Sequence, residues 1–452
     1  MLKRIRSFFS PARGRTLLNL VIDIVMPRFY WIVLRLIFPI LAPVYTRYRR
    51  IRHIFIRNDK YRGRVLFAGQ CYYNAWYLSR ELRILGWRAD VLNWDSNPDS
   101  QSYYHGEDFK LEYSTSIFTR ARHMFFYLKA LARYDIFHFS NAHGISFGPT
   151  ISNTFSLVRL PQYAEIRLLK RLGKKIVYTN NGCLDGVSQS SFRSWPGPEP
   201  VCDICPWKDV PTVCSDERNL EWGKIRNSLA DYQCTLGDNR KDYNDDPRVH
   251  EVPEFYCLDP EFWRPDLPIP PEHRLSYPPG TVMIYHAVGN FQMRTDSVTG
   301  RNIKSTHIYL PLIDRLKAEG YPVELFFGKN IPSKEVRYYQ AQADIVVDML
   351  TFGWFGANVR EAMMLGKPAV CYLRPEWLES MRREIPDYVD ELPVVSATPE
   401  TIYDVLKDLI THPDKRQEIG RRSREFAVKW HSAQAGAKRL DRIYCDLMWG
   451  KQ

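Results

Sequence analysis

The stretch Ala343 to Leu373 reads ADIVVDMLTFGWFGANVREAMMLGKPAVCYL and gathers residues that could do chemistry at a single turn. Ile345 to Val347 is a β-branched run. Gly353 and Gly356 then permit a tight turn. The spacing predicts a helix over Asn358 to Leu365, with Glu361 near its start. An acid there is favoured by the helix dipole, and the free N–H groups of a helix start also suit a phosphate. Gly366-Lys367-Pro368 stops the helix, and Ala369 to Leu373 is a second apolar strand. Strand, glycine turn, helix and strand form one βαβ step of a parallel sheet. Turns of this kind lie at the carboxyl edge, where α/β folds bind ligands.

A second group is rich in sulfur. Cys202-Asp203-Ile204-Cys205 is a C-x-x-C, Cys214 follows with eight residues between, and Cys183 precedes with eighteen between. Four thiolates with this spacing suit a structural zinc ion held by Cys183, Cys202, Cys205 and Cys214. Cys234 competes with Cys183 for the fourth place. A redox or disulfide pair and unligated thiols are the other readings. No H-E-x-x-H accompanies the cysteines, so catalytic zinc is not expected. Nine cysteines, unevenly spaced, do not make a disulfide scaffold and point to a reducing compartment.

The elements that must position these residues alternate. Strands are predicted at Arg64–Gly69, Trp87–Trp94, Asp135–Ser140 and Lys175–Thr179. Helices are predicted at Ala75–Leu85, Ser116–Arg133 and Pro161–Leu172, with Ser116 a cap and Pro161 at a first helical position. Together they make a Rossmann-like half. His138 sits mid-strand and reads as a satisfied core histidine. His143, in the loop beyond, is the better active-site candidate. Pro268, Pro270, Pro271, Pro278 and Pro279 stiffen a linker. Thr281 to Ala287 opens a second Rossmann-like half, with a further strand at Val323–Phe327 and helical sequence over Pro399–Trp430. The division expected is 1–62, 63–262 with a Cys-rich insertion at 183–234, 263–430, and a last helix at 431–452.

Charge is unevenly placed. Residues 1–62 hold fourteen Lys or Arg against two acids, Asp23 and Asp59, and so account for the whole net charge of +12. These cations flank apolar sequence, which points to an anionic membrane surface and away from nucleic acid. Thr16 to Tyr45 is apolar but interrupted by Asp23, Arg28 and Arg35 and broken by Pro27, Pro39 and Pro43. A spanning helix needs about 20 uninterrupted apolar residues. One or two helices lying in the interface, or a shallow re-entrant pair, fit better. A transmembrane helix, a cleaved signal peptide and a buried helix pair are the alternatives.

The central stretch closely resembles the donor-binding segment of family 4 glycosyltransferases. Glu361-Ala362-Met363 and Gly366-Lys367-Pro368-Ala369-Val370 fit that family's motif. Gly353 stands where the family carries a first glutamate, eight positions before the second. The resemblance implies the GT-B fold, two Rossmann-like domains facing a cleft, here with a membrane-associated N-terminal segment. It implies a nucleotide-diphosphate sugar as donor, retention at the anomeric carbon, and no essential divalent metal. Glu361 would accept hydrogen bonds from the ribose, with Gly353 and Gly356 shaping the loop. Arg301 and Lys304 would bind the diphosphate, with Ser305 in place of the family's glycine and Arg294 a spare cation. Lys329 and Asn330 lie in the loop that holds the base, and His286 and Asn290 on the same edge. Gly69 and Asn74 belong to the first βα loop, which faces the diphosphate and acceptor. Where family members carry a sugar-contacting His, this chain has Asn181 and Asp185. These two and His143 are the catalytic candidates.

The expected function is sugar transfer to a membrane-linked glycan, polyprenyl-linked or a lipopolysaccharide intermediate, at the cytoplasmic face of the plasma membrane. An inactive nucleotide-sugar-binding scaffold and a GT-B enzyme of other chemistry, such as a nucleotide-sugar epimerase, are the alternatives.

Overall fold

In the computed structural model the described residues are 61–69, 72–94, 106–140, 144–157, 160–180, 182–183, 185–235 and 240–450, with Val44 and Tyr48. The apolar, basic segment expected at the membrane therefore lies almost wholly outside the described residues. So do His143 and Asn181. Among the described residues no helix is long and apolar enough to cross a membrane.

Two parallel sheets carry the chain. The first has seven strands: β1 (Arg64–Ala68), β2 (Arg88–Asn93), β3 (Phe109–Lys110), β4 (Ile136–Phe139), β5 (Lys175–Thr179), β6 (Tyr232–Thr235) and β7 (Val249–Glu251). Their order is β3-β2-β1-β4-β5-β6-β7. The second has five: β8 (Val282–Val288), β9 (Val323–Lys329), β10 (Ile345–Val347), β11 (Ala369–Cys371) and β12 (Val395–Ser396), ordered β12-β11-β10-β8-β9. All pairings between these strands are parallel. Inner strands such as β1 and β10 are buried on both faces, as the apolar runs RVLFA and IVV require, and the edge strands β3, β9 and β12 are partly open. Two parallel α/β sheets facing a cleft fit the GT-B architecture.

The chain crosses between the halves twice, and the crossings are laced together. Leu258 N–H donates to the His431 carbonyl at 2.8 Å, and Ala433 N–H donates to that of Leu258 at 2.7 Å. The last helix, Ala433–Trp449, then packs on the first half. A Cβ at Gly436 would lie 2.5 Å from the Glu254 carbonyl oxygen and 2.7 Å from Leu78. Only glycine lets the two backbones approach so closely.

Several local expectations differ. The helix placed at Pro161 begins at Ala164, because Tyr163 takes a left-handed conformation (φ 59°) that separates it from the proline turn. Ser116 has the backbone of a cap, but its hydroxyl accepts no capping bond. The helical run at Pro399–Trp430 is two helices, Ile402–Thr411 and Pro413–His431, divided at the residue before Pro413.

Candidate active site

The carboxyl edges of β1, β4 and β5 face those of β8 and β10 across a cavity of about 980 Å³. Glu361 lies at its floor on the helix Ala357–Met364. Its carboxylate is held from two sides. Tyr73 of the first half donates its hydroxyl to Oε1 at 2.6 Å, and Gln340 donates Nε2 to Oε2 at 3.1 Å. Burial pushes the Glu361 carboxyl up to about 7, while these two hydrogen bonds and the Lys304 ammonium pull it back. A carboxylate with protein donors on both oxygens keeps lone pairs for ligand hydroxyls.

Lys304 also lines the cavity. Its ammonium lies 2.6 Å from Oδ1 of the fully buried Asp348, just past the end of β10. Gly356, which caps the helix start, lies beside it: a Cβ there would stand 3.5 Å from that ammonium, in ordinary contact. The turn before the helix Thr306–Ala318 is built on Asn302, whose Oδ1 accepts from the backbone N–H of Lys304 and of Thr306. Ser305 is left-handed, with φ 61°. This is the conformation that glycine adopts without cost, which is the physical reason the family's motif has glycine there. Here the serine hydroxyl accepts from Leu350 N–H at 3.0 Å and offsets the strain.

A buried guanidinium, Arg360, completes the cation set. It stacks on Tyr256 and Phe355 at 4.7 and 5.1 Å and donates to the Phe355 carbonyl. Its Nε is buried with no hydrogen-bond partner. Arg294 lines the cavity as well. Lys304, Arg360 and the start of the helix Ala357–Met364 all line the cavity, a set of groups suited to a diphosphate.

Other expected residues fall elsewhere. Arg301 is not part of the cavity lining; it ion-pairs with Glu199 of the first half, at 2.6 Å to Oε1. Gly353 is also outside the lining. Its φ of 98° is a glycine conformation, and a Cβ there would meet Arg374 at 3.0 Å. A glutamate at this place would be strained by the positive φ and would press on Arg374. Arg374 stacks on Trp195 of the first half at 3.3 Å instead. His286 is buried against the Thr306 hydroxyl (2.7 Å), and burial pushes it down to about 4, so it is neutral at pH 7. Asn290 lines the cavity. Lys329 rests on the rings of Phe291 and Phe327, and Asn330 uses its side chain to pin Phe291 N–H. Gly69 ends β1 with φ 81°, and the Asn74 side chain accepts from Cys257 N–H, so Asn74 fixes the hinge and does not face the cavity.

Asp185 does line the cavity, yet its Oδ1 is already taken by Tyr178 and the Trp222 indole, both at 2.6 Å. It holds the wall more than it offers a base. His138 is the satisfied core histidine expected, between Tyr444 and Thr179 at 2.7 Å each.

The zinc expectation is not met. The Cys214 sulfur accepts from the Gln189 and Asn219 amides. Burial pushes the Cys202 thiol up to about 12 and raises Cys205. Cys183 faces the main cavity, and Cys234 is buried in β6. Among the described residues no three His, Cys, Asp or Glu side chains are placed to hold a metal ion.

Tyr73, Gln340, Asp348 and Arg360 were not singled out from sequence. Asp348 had a usable signal, an acid directly after a buried strand at a ligand-binding edge. Arg360 had another, a cation beside the motif glutamate.

No protein-family model matches the sequence, and no match is found among curated proteins. Solved structures similar in fold include sucrose-phosphate synthase from Thermosynechococcus elongatus, at 13% identity and TM-score 0.49, covering 86% of this chain and 100% of that one. A glycosyltransferase from Rickettsia africae ESF-5 matches at 13% identity and TM-score 0.49, over 87% and 100%. Anabaena HepE in complex with UDP and glucose matches at 10% and 0.48, over 84% and 99%.

Proposed function

We propose that this chain is a retaining glycosyltransferase that moves a sugar from a nucleotide-diphosphate sugar to a membrane-linked glycan at the cytoplasmic face of the plasma membrane. The observation that carries the reading is the junction of Glu361 with Lys304 and the Gly356 helix start, inside a cleft between two parallel sheets. Glu361 would accept from the ribose hydroxyls. Lys304, Arg360 and the helix N–H groups would take the charge that develops on the departing diphosphate. Front-face displacement by the acceptor hydroxyl needs no protein nucleophile. In that chemistry the protein contributes position and charge. The cross-domain contacts of Tyr73 with Glu361 and of Arg301 with Glu199 would set the closed geometry that excludes water.

The glycine at Gly353 favours a second reading, a nucleotide-sugar-binding scaffold without turnover. The purified protein should be supplied with the donor that it binds and with polyprenyl-linked acceptors, and the product examined by mass spectrometry and anomeric NMR. A new glycosidic bond with the donor's anomeric configuration supports transfer with retention. Binding without transfer supports the scaffold.

A further inference from the structure

The helix Ile117–Arg133 reads IFTRARHMFFYLKALAR and carries Arg120, Arg122, Lys129 and Arg133 with no acid. One of its faces is packed normally: Met124, Tyr127, Ala130 and Leu131 are buried in the first half's core. The opposite face is not. Phe118 is 85% exposed, Phe125 69% and Leu128 44%, and Tyr113 just before the helix is 58% exposed. Phe118, Arg122, Phe125 and Lys129 follow one another at three or four residues and so share one stripe. An apolar stripe of this size on a soluble surface marks an interaction site.

The charge selects the occupant. Residues 1–62 carry the chain's whole net charge of +12. Like charge sets the basic stretches of that segment against Arg122 and Lys129, and a second copy would present the same cations. Glu112 stands at the edge of the stripe and is taken by Lys110 at 2.6 Å. Aromatic side chains flanked by cations match a surface that is apolar beneath an anionic layer. Position agrees. Ser114 N–H donates to the Thr150 hydroxyl at 3.1 Å, which ties the start of this helix to the helix that follows β4. The stripe thus begins at the carboxyl edge of the first sheet, on the side of the cleft mouth.

We propose that the exposed face of Ile117–Arg133 docks on an anionic lipid bilayer, with Phe118 and Phe125 entering the acyl boundary and Arg122 and Lys129 meeting the headgroups. This contact is separate from residues 1–62 and from the chemistry in the cleft. Together with that basic segment it would fix the first half in one orientation, with the cleft mouth close to the bilayer.

The test uses the full chain with a photoreactive benzoylphenylalanine in place of Phe125, and a control protein carrying it in place of Val298, which is 92% exposed in the second half. Each is irradiated with vesicles of phosphatidylglycerol and phosphatidylcholine, and with vesicles of phosphatidylcholine alone. The expected result is a lipid adduct at position 125 on the anionic vesicles. It should be at least about tenfold stronger there than at position 298 or on the neutral vesicles, and reduced severalfold by Arg122→Glu with Lys129→Glu. The proposal is overturned by no lipid adduct at position 125, by equal labelling at 298, or by an adduct to residues 1–62 or to a second copy of the chain. Donor binding in solution is measured on the same samples, so failure here leaves the reading of the cleft unaffected.

Discussion

Tyr73 and Glu361 belong to different halves of the molecule, 288 residues apart, and are joined by a hydrogen bond of 2.6 Å in which the phenol donates to the carboxylate. The contact makes the state of a donor-site acid depend on the position of the opposite domain.

Removing the phenol should therefore move the acid. Tyr73→Phe takes away a hydrogen bond that favours the ionised form, so Glu361 rises further above about 7. If ribose hydroxyls need the carboxylate, nucleotide affinity climbs with pH through this value. The midpoint of that climb should be higher in Tyr73→Phe than in the native protein. Titration calorimetry from pH 6 to 9 reads it, and an unchanged midpoint breaks the link between the two residues.

The same acid leaves a mark on stability. Glu361 keeps its proton to about pH 7 in the folded protein, against 4.5 for the ordinary carboxyl. Between these values the folded state binds more protons than the unfolded chain, so stability falls as pH rises. The penalty is complete above about pH 7. Glu361→Gln removes it. Gln340 has a buried Oε1 with no hydrogen-bond partner and can turn to accept from the new amide. The variant should match the native melting temperature near pH 4.5 and exceed it at pH 8, while losing nucleotide binding. A variant less stable at pH 8 refutes this sign.

Lys304 and Asp348 form a buried pair in which removal of one partner strands the other. Lys304→Met should cost about 3–5 kcal/mol in denaturant unfolding. Lys304→Met with Asp348→Asn should recover most of that stability and still bind nucleotide poorly. Recovery of binding in the double variant would show that the ammonium only neutralises Asp348.

Arg301 tests the sequence expectation directly. It is 38% exposed and engaged by Glu199, so the pair contributes at most about 1 kcal/mol to stability. If Arg301 swings to the diphosphate on binding, Glu199→Gln should tighten nucleotide binding severalfold and Arg301→Ala should weaken it. If both leave affinity unchanged, Arg301 is a clasp between the halves.

What could be read from sequence follows from the range of the interactions. The strand, turn, helix and strand at Ala343–Leu373 were legible because periodicity and glycines are local signals, and β10, β11 and the helix between them fall where expected. The strands β3, β6 and β12 read FK, YQCT and VS and carry no continuous apolar run, the signal that marked β10 and β11. Tyr73 and Gln340 could not be assigned, because what makes them functional is a partner supplied by tertiary folding. Gly353 was visible as a departure from a motif, but its meaning needed the backbone: a positive φ that strains any side chain there, and Arg374 close against the place a Cβ would take. The cysteine spacing suited zinc, yet the burial of Cys234 and the position of Cys183 are tertiary facts that spacing does not encode.

The central claim is that the cleft binds a nucleotide-diphosphate sugar through Glu361 and Lys304. The most direct measurement is titration calorimetry of the purified full chain with UDP, GDP, CDP and dTDP and their common sugars, alongside Glu361→Ala and Lys304→Met. Saturable binding of one nucleotide class is expected, at least about tenfold weaker in each variant, a loss of about 1.4 kcal/mol or more. No binding by the native protein, or binding indifferent to both substitutions, would contradict it.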